Sequence, residues 1–293
     1  MEKKSINLKN GEMYYYIEYG KGDKTLILLH GNLSSCLFYK PILREFEGYR
    51  VIALDMRGFG DSTYNKKIDS MEDLADDLKI FMDRMDIKKA DVLGWSAGGA
   101  VALQFAAKYP SLVNKLILKA SASYRGYPIF KKNELGQPIV GSYYQTREEM
   151  AKDPINVLPV YFMLLNKDKT NLKLIYDYAI YNINKPKDYE YEMQLNEIVK
   201  QRNIIDFDWA LTSFNMSDFS NGVTDGDGSI KNVVCPVLSL WGDKDMTVMK
   251  YMIDETVEAL DNAKKIVIKD AGHSIMTDQF DTFISEIKTF LKE

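Results

Sequence analysis

The sequence predicts an α/β protein in which a mostly parallel, eight-stranded sheet is flanked by helices. Short apolar runs alternate with helical segments up to about residue 120, and again after about residue 233. Between these parts lies a stretch without that alternation, in which helical patterns dominate. We therefore predict a helical cap inserted before the last two strands of the sheet.

The first elements are predicted as strands. Residues 6–9 and 13–19 flank Asn10-Gly11, a dipeptide that favours a tight two-residue hairpin turn. Residues 25–29 and 50–54 are short apolar runs, as expected for strands buried on both faces of a sheet.

The first long helix is predicted after Ser70, an N-cap residue that is followed three positions later by Asp73. Its apolar residues recur on one helical face. The remaining core elements are predicted as strands at 91–93 and 114–120 with a helix at 97–109 between them, then a strand at 237–241, a helix at 248–260, a strand at 265–268 and a helix at 280–291.

The chain is predicted to form a core domain from residues 1–123 and 233–293, and a cap from residues 124–232. The cap sequence is rich in tyrosine and contains helical segments near 172–181 and 190–199. Because open α/β sheets bind ligands at the carboxyl ends of their strands, we expect the cap to cover that edge.

Composition excludes several classes of protein. The chain is 46% hydrophobic and 27% charged, with a net charge of −4 and no basic cluster, which argues against nucleic-acid binding. The N-terminus lacks the apolar core of a secretory signal, and no apolar run reaches the roughly 18 residues of a membrane span. Cys36 and Cys235 are far apart and form no metal-ligand pattern. We expect a cytoplasmic protein with two buried thiols, no bound metal and no membrane association.

The segment Gly94-Trp95-Ser96-Ala97-Gly98 carries the first chemical signal. It follows a buried strand and opens a helix, and its two glycines permit the strained turn that exposes a nucleophilic serine. The N–H groups at the start of the helix can stabilise a developing anion. Ser96 is therefore the candidate nucleophile.

A serine nucleophile needs a neighbouring base, and the chain has two histidines. When a serine stands at such a turn, the chain order of a catalytic triad is serine, acid, histidine, which selects His273 as the base. His30 is expected to be structural. The loop after the strand at 237–241 offers two acids, Asp243 and Asp245, as the group that orients the imidazole.

An oxyanion formed at Ser96 needs two hydrogen-bond donors. The backbone N–H of Ala97 is the first, and the loop beginning at His30-Gly31 should supply the second. The side-chain amide of Asn32 in that loop is a further candidate donor.

Together these residues resemble the α/β-hydrolase fold superfamily, in particular its small bacterial esterase-like serine hydrolases. The resemblance rests on segments that occur in the family's order: the His30-Gly31 loop, the loop from Asp55 to Ser62, the turn at Ser96, the loop Gly242-Asp243-Lys244-Asp245 and the turn Gly272-His273. In that family the acid is the last residue of Gly-x-x-Asp, which implies Asp245. The residue after His-Gly supplies the second oxyanion N–H, which implies Asn32. We expect Asp55 and Arg57 to pair and hold their loop.

The resemblance implies hydrolysis of an ester, thioester or lactone through an acyl-enzyme, without a cofactor. Relatives that dehalogenate or open epoxides have an aspartate in place of Ser96. Relatives that cleave C–C bonds often have an aromatic residue where this chain has Ser274. Proline aminopeptidases carry a different nucleophile segment. A C–C hydrolase and a non-catalytic ligand receptor or regulatory protein remain the alternatives.

The expected partner is a small-molecule ester or lactone with an apolar group, and the expected oligomeric state is monomer or homodimer. We expect aromatic side chains to line its binding pocket. The candidates are Trp95 beside the nucleophile, and Tyr161, Phe162, Trp209 and Phe214 in the cap.

Overall fold

A computed structural model describes residues 2–293 and leaves Met1 outside the described residues. Its strands are β1 (Lys4–Asn7), β2 (Met13–Tyr19), β3 (Lys24–Leu29), β4 (Tyr49–Asp55), β5 (Ala90–Trp95), β6 (Val113–Lys119), β7 (Phe130–Lys132), β8 (Pro138–Tyr143), β9 (Val237–Gly242) and β10 (Ala263–Ile268).

Eight of these strands form one sheet in the order β1-β2-β4-β3-β5-β6-β9-β10. From β4 to β10 every neighbouring pair is parallel, while β2 is antiparallel to both β1 and β4. This arrangement confirms the predicted fold class. Since the parallel strands share one direction, the loops that follow β3, β5, β9 and β10 meet at one edge of the sheet.

The helices are α1 (Met71–Arg84), α2 (Ala97–Lys108), α3 (Arg147–Met150), α4 (Leu158–Leu165), α5 (Lys169–Ala179), α6 (Asp188–Ile198), α7 (Ile204–Thr212), α8 (Lys250–Glu258), α9 (Ile275–Asp278) and α10 (Phe280–Lys292). The first begins where the sequence predicts, and the Asp73 carboxylate accepts a 3.0 Å hydrogen bond from the Ser70 N–H. Among the described residues, no helix is both long and apolar enough to cross a membrane.

The apolar core lies on both faces of the sheet, because successive side chains of a strand point to opposite sides. In β5, Val92 packs in the cluster that contains helix α2, whereas Leu93 packs in the cluster that contains Phe283 of α10. Both strand residues are fully buried. Cys36 and Cys235 are buried free thiols, as expected.

Residues 124–232, hereafter the inserted segment, lie between β6 and β9 and add no strand to the main sheet. They contain α3 to α7 and also the antiparallel pair β7–β8, which the sequence analysis missed. Strand β7 has three residues, and β8 begins at Pro138, includes Gly141 and is largely exposed. Neither strand therefore shows the alternation of apolar and polar residues that marks a half-buried strand.

The first hairpin differs from its prediction. Strand β1 ends at Asn7, and the turn is longer than two residues, since the Leu8 N–H donates to the Glu12 carbonyl over 2.8 Å. The Asn10 side chain accepts a hydrogen bond from the Glu12 N–H. This local contact gives the backbone an alternative to the tighter turn.

The expected pair between Asp55 and Arg57 does not form. Arg57 instead donates to both carboxylate oxygens of Asp77 in α1, at 2.6 and 2.7 Å. The sequence did not predict this pair because Asp77 lies 20 positions from Arg57. The two buried side chains form a two-point hydrogen-bonded ion pair.

Asp55 pairs instead with Lys3. The Lys3 ammonium lies 2.7 Å from both Asp55 and Asp61 and also pairs with Glu197 of α6. Burial disfavours the charged amine, but the carboxylates outweigh that effect and raise the pKa of Lys3. We call these four residues the Lys3 cluster; it joins the N-terminus, the loop after β4 and the inserted segment.

Candidate active site

Ser96 occupies a strained turn between β5 and α2, with φ 55° and ψ −123°. Its N–H donates to the Lys119 carbonyl over 3.0 Å, which fixes the turn against β6. A Cβ on Gly94 would lie 2.4 Å from the Gly98 carbonyl oxygen, and one on Gly98 would lie 2.3 Å from that of His30. Both positions of the Gly-x-Ser-x-Gly segment thus require glycine for close packing.

His273 and Asp245 form a buried pair. The imidazole Nδ1 lies 2.9 Å from Asp245 Oδ2, and Asp245 Oδ1 accepts hydrogen bonds from the N–H groups of Thr247 and Val248 at 2.8 and 2.9 Å. A carboxylate at this position places the ring proton on Nδ1 and leaves Nε2 with its lone pair. The competing Asp243 makes no contact with the imidazole, and its Oδ1 is buried without a partner among the described residues.

Ser96 and His273 line the same cavity. Within residues 2–293, Ser96 Oγ makes no hydrogen bond, and neither does His273 Nε2. Such catalytic hydrogen bonds are often long or poorly aligned before a substrate binds. The arrangement thus brings the predicted nucleophile, base and acid to one edge of the sheet.

Two residues that line this cavity have unpaired backbone donors. Within the described chain, the N–H groups of Asn32 and Ala97 have no hydrogen-bond acceptor. Gly31 brings the loop close to the nucleophile, because a Cβ there would lie 3.0 Å from Ser96 Cβ. The two N–H groups are thus available as the candidate donors of an oxyanion hole.

The Asn32 side chain is engaged elsewhere, which corrects the expectation that its amide could add to the hole. Its Nδ2 donates to Asp208 Oδ1 over 2.7 Å, and its Oδ1 accepts from Gln201 Nε2 over 2.8 Å. Gln201 Oε1 also accepts the Leu33 N–H, and the Tyr176 hydroxyl donates to the Leu33 carbonyl. We call residues 30–33 the oxyanion loop; its conformation is held by side chains of the inserted segment.

His30 stabilises the oxyanion loop through contacts of both its ring nitrogens. Its Nδ1 lies 2.8 Å from the Gly31 carbonyl, and its Nε2 accepts the Met56 N–H over 3.1 Å. Burial lowers the pKa of His30 to about 4, so the ring is neutral at physiological pH. Both ring nitrogens are used in structural contacts, which agrees with the structural role expected for this histidine.

The cavity beside Ser96 has a volume of about 230 Å³. This is below the roughly 300–1,000 Å³ of pockets for drug-sized ligands, so it suits a small ligand. Its walls are mostly apolar and include Ala122, Ile129, Val160, Ile175, Ile180 and Leu211. Polar groups also reach it, among them Asn156, Asp208, Thr212 and Thr247.

Of the five predicted substrate-binding aromatics, only Trp95 lines this cavity. Its indole N–H donates to the His273 carbonyl over 3.3 Å. Tyr161 and Phe162 are exposed on α4 and contact each other. Trp209 packs against a small cluster around Met150, and Phe214 is buried in the core cluster that contains helix α2. The expectation for these four residues is therefore corrected.

The error has a physical origin. Helix α4 is apolar on every side, so its sequence does not show which face is buried; the structure buries Val160 and Leu164. The sequence of α5 could have predicted part of the cavity wall, because its apolar residues recur at helical spacing and so share one face: Leu172, Ile175, Tyr176 and Ala179. The last three of these residues line the cavity.

The chain belongs to the alpha/beta hydrolase fold family, whose sequence model matches residues 24–279. It is 25% identical over 283 residues to a 2-hydroxy-6-oxononadienedioate/2-hydroxy-6-oxononatrienedioate hydrolase of Escherichia coli (strain K12), covering 94% of this chain and 90% of that protein.

Solved structures share the fold. The enol-lactonase from Burkholderia xenovorans LB400 superposes with a TM-score of 0.75 at 16% identity, covering 99% of this chain and 100% of the other. The esterase EaEST from Exiguobacterium antarcticum superposes with a TM-score of 0.72 at 19% identity, covering 100% of both chains.

Proposed function

We propose that this protein is a serine hydrolase that cleaves small carboxylic esters, thioesters or lactones, with Ser96 as nucleophile, His273 as base and Asp245 as the orienting acid. The observation that carries the proposal is the 2.9 Å contact of Asp245 with His273, a histidine that lines the same cavity as the strained Ser96. Strained backbone of this kind persists where function requires it, since it costs about 1–3 kcal/mol.

In this mechanism His273 Nε2 takes the Ser96 hydroxyl proton as Oγ attacks the substrate carbonyl. Asp245 stabilises the imidazolium that results. The N–H groups of Asn32 and Ala97 hold the oxyanion of the tetrahedral intermediate. His273 then gives its proton to the departing alcohol, thiol or lactone oxygen, and a water molecule activated by the same histidine hydrolyses the acyl-enzyme.

The inserted segment is proposed to act as a cap that sets substrate size. It supplies Val160, Ile175 and Leu211 to the cavity wall, while the core supplies the reacting groups. A small apolar cavity suits a short acyl or alcohol group. No cofactor is needed for this chemistry.

A second candidate is suggested by the relative from Escherichia coli, whose name describes hydrolysis of a 2-hydroxy-6-oxo diacid. Two carboxylates on a substrate call for cationic partners. Among the described residues that line the cavity, none is lysine or arginine, and Asp208 adds a carboxyl. The electrostatics of the cavity therefore favour an uncharged ester or lactone over a dianion.

The test is turnover of short aryl esters, small lactones and a 2-hydroxy-6-oxo diacid by the wild type and Ser96→Ala. We expect ester or lactone hydrolysis that falls by at least about 10⁴-fold in Ser96→Ala, and organophosphate labelling at Ser96. Ser213→Ala is the control and should retain activity, because Ser213 directly follows α7 and its hydroxyl donates to the Trp209 carbonyl of that helix. Turnover of the diacid alone, or labelling at another residue, would contradict the proposal.

A further inference from the structure

Asp208 places a carboxyl in the wall of the otherwise mostly apolar cavity. The residue lies on α7 and is 8% exposed. Its Oδ1 accepts the 2.7 Å hydrogen bond from Asn32 Nδ2. Its Oδ2 has no hydrogen-bond partner within residues 2–293. One carboxyl oxygen is thus held by a hydrogen bond, and the other is available to accept one from a ligand.

The surroundings of Asp208 do not compensate its charge. No lysine or arginine of the described chain lines the cavity. The nearby Asp153 disfavours a charged Asp208, although Asp153 is itself paired with Lys132 over 2.7 Å.

The cavity wall also holds two tyrosines, Tyr127 and Tyr176, whose hydroxyls donate to backbone carbonyls, and His273, which pairs with Asp245. Lys119 packs against Trp95 and does not line the cavity. A buried carboxyl with one partner is costly, and such groups are concentrated at functional sites.

Asp208 also lies close to the reacting centre. Asn32 supplies an oxyanion N–H from its backbone and contacts Asp208 through its side chain. The Asn32 side chain, its 2.7 Å hydrogen bond and the Asp208 carboxyl group thus link the backbone N–H of Asn32 to the free oxygen. A substrate held with its carbonyl oxygen at Asn32 and Ala97 would present its neighbouring atoms to Asp208.

We propose that Asp208 is a specificity-determining residue whose Oδ2 accepts a hydrogen bond from a hydroxyl or protonated amino group near the scissile carbonyl of the substrate. The preferred substrates are then hydroxy- or amino-substituted esters or lactones. This inference rests on the proposed function, because Ser96 defines which carbonyl is scissile. Both groups are hydrogen-bond donors. Either would give Asp208 Oδ2 the hydrogen bond that no described residue of the cavity wall makes.

The kinetic test compares phenyl esters of butyrate, 3-hydroxybutyrate and 3-aminobutyrate. In the wild type, kcat/KM for at least one substituted ester should exceed that for butyrate by roughly tenfold or more. Preference for the amino ester alone identifies a cation as the ligand group, and preference for the hydroxy ester identifies a hydroxyl.

The test variant is Asp208→Asn, which keeps the oxygen that accepts from Asn32 but presents an NH₂ group to the cavity. It should abolish a preference for the amino ester and weaken one for the hydroxy ester. Asp206→Asn is the matched control on the same helix, because Asp206 contacts Tyr64 and Arg147 outside the cavity. Its substrate ratios should equal those of the wild type. Ratios that are the same in Asp208→Asn and the wild type would overturn the assignment.

A binding measurement separates this inference from the proposed function. Calorimetry with butyramide, 3-hydroxybutyramide and 3-aminobutyramide requires no turnover. If no ester is hydrolysed, the proposed function fails, and the binding data still decide the role of Asp208. Tighter binding of a substituted amide by the wild type, lost in Asp208→Asn, supports the assignment; equal binding of all three amides by the wild type refutes it.

Discussion

Lys119 packs against the face of Trp95, with its Nζ 4.0 Å from the ring centroid, and this Nζ has no hydrogen-bond partner among the described residues. The side chain is fully buried at the end of β6. The same indole neighbours His273, whose ring centre lies 5.6 Å from that of Trp95. An unpaired amine thus contacts the indole that neighbours the proposed catalytic base.

Lys119 should make the free energy of unfolding rise as the pH increases from neutral to alkaline. Burial lowers its pKa to about 7 from an ordinary value of 10.5. Between these values the unfolded chain holds a proton that the folded chain does not, so the free energy of unfolding rises with pH. From pH 7 to 9 the wild type should gain about 2 kcal/mol more than Lys119→Met in urea denaturation. The exposed control Lys89→Met should follow the wild type, and an equal gain in Lys119→Met would contradict this account.

Substitution of the two acids after β9 should separate their roles. Asp245→Asn removes the carboxylate that holds the Nδ1 proton of His273, and kcat should fall by roughly 10³–10⁴-fold. Asp243→Asn should reduce kcat far less, since Asp243 does not contact the imidazole. Steady-state kinetics of both variants on one aryl ester measures the difference. A larger loss in Asp243→Asn would show that the acid has been misassigned.

Truncating a side chain that lines the cavity should change substrate preference, whereas truncating a core side chain should lower stability. Ile175→Ala enlarges the cavity and should raise kcat/KM for longer acyl esters relative to acetate by about ten- to a hundredfold. Phe214→Ala should leave that ranking unchanged and lower the free energy of unfolding by about 3–5 kcal/mol, because it removes a buried ring from the core. Kinetics on three esters of graded length, together with denaturation curves, would check both outcomes.

Asp208 should destabilise the fold as pH rises through neutrality. Burial raises its pKa to about 7, above the ordinary value of 3.8. Between these values the folded chain holds a proton that the unfolded chain releases, so stability falls with rising pH. From pH 5 to 8 the wild type should therefore lose about 2 kcal/mol relative to Asp208→Asn. Denaturation at the two pH values measures this, and a constant difference between the proteins would exclude an elevated pKa.

The Lys3 cluster should contribute strongly to stability. Lys3→Met leaves the buried carboxylates of Asp55 and Glu197 without their shared cation, and the expected loss is about 3–5 kcal/mol. Lys4→Met is a suitable control, since Lys4 forms an exposed pair with Glu18 and should cost less than about 1 kcal/mol. Equal losses in urea denaturation would show that the cluster is no stronger than a surface ion pair.

The parts of the molecule that could be predicted from the sequence are those with local signals. Strand β5 is a short apolar run because both its faces are buried, and the segment around Ser96 is recognisable because its glycines follow that strand directly. The chain order of serine, acid and histidine selected His273 over His30 as the candidate base. These features depend on neighbours in the sequence or on the order of loops at one edge of the sheet.

The parts that could not be predicted depend on contacts between distant residues. Asp208 lies 176 positions from Asn32, and its burial follows only from the packing of α7 over the oxyanion loop. Arg57 pairs with Asp77 because α1 folds back against the loop after β4. Tyrosine enrichment likewise did not show which aromatic rings face the cavity, since most of them pack elsewhere.

The hydrogen bonds that the oxyanion loop makes with Gln201 and Asp208 have a consequence for protein engineering. A shortened protein made of residues 1–123 and 233–293 would retain Ser96, Asp245 and His273 but lose these hydrogen bonds to Asn32 and Leu33. Chimeras that exchange the inserted segment for that of another hydrolase would face the same loss. Transplanting a new specificity onto this scaffold therefore requires that the donor segment recreate both contacts, or that the loop be redesigned with it.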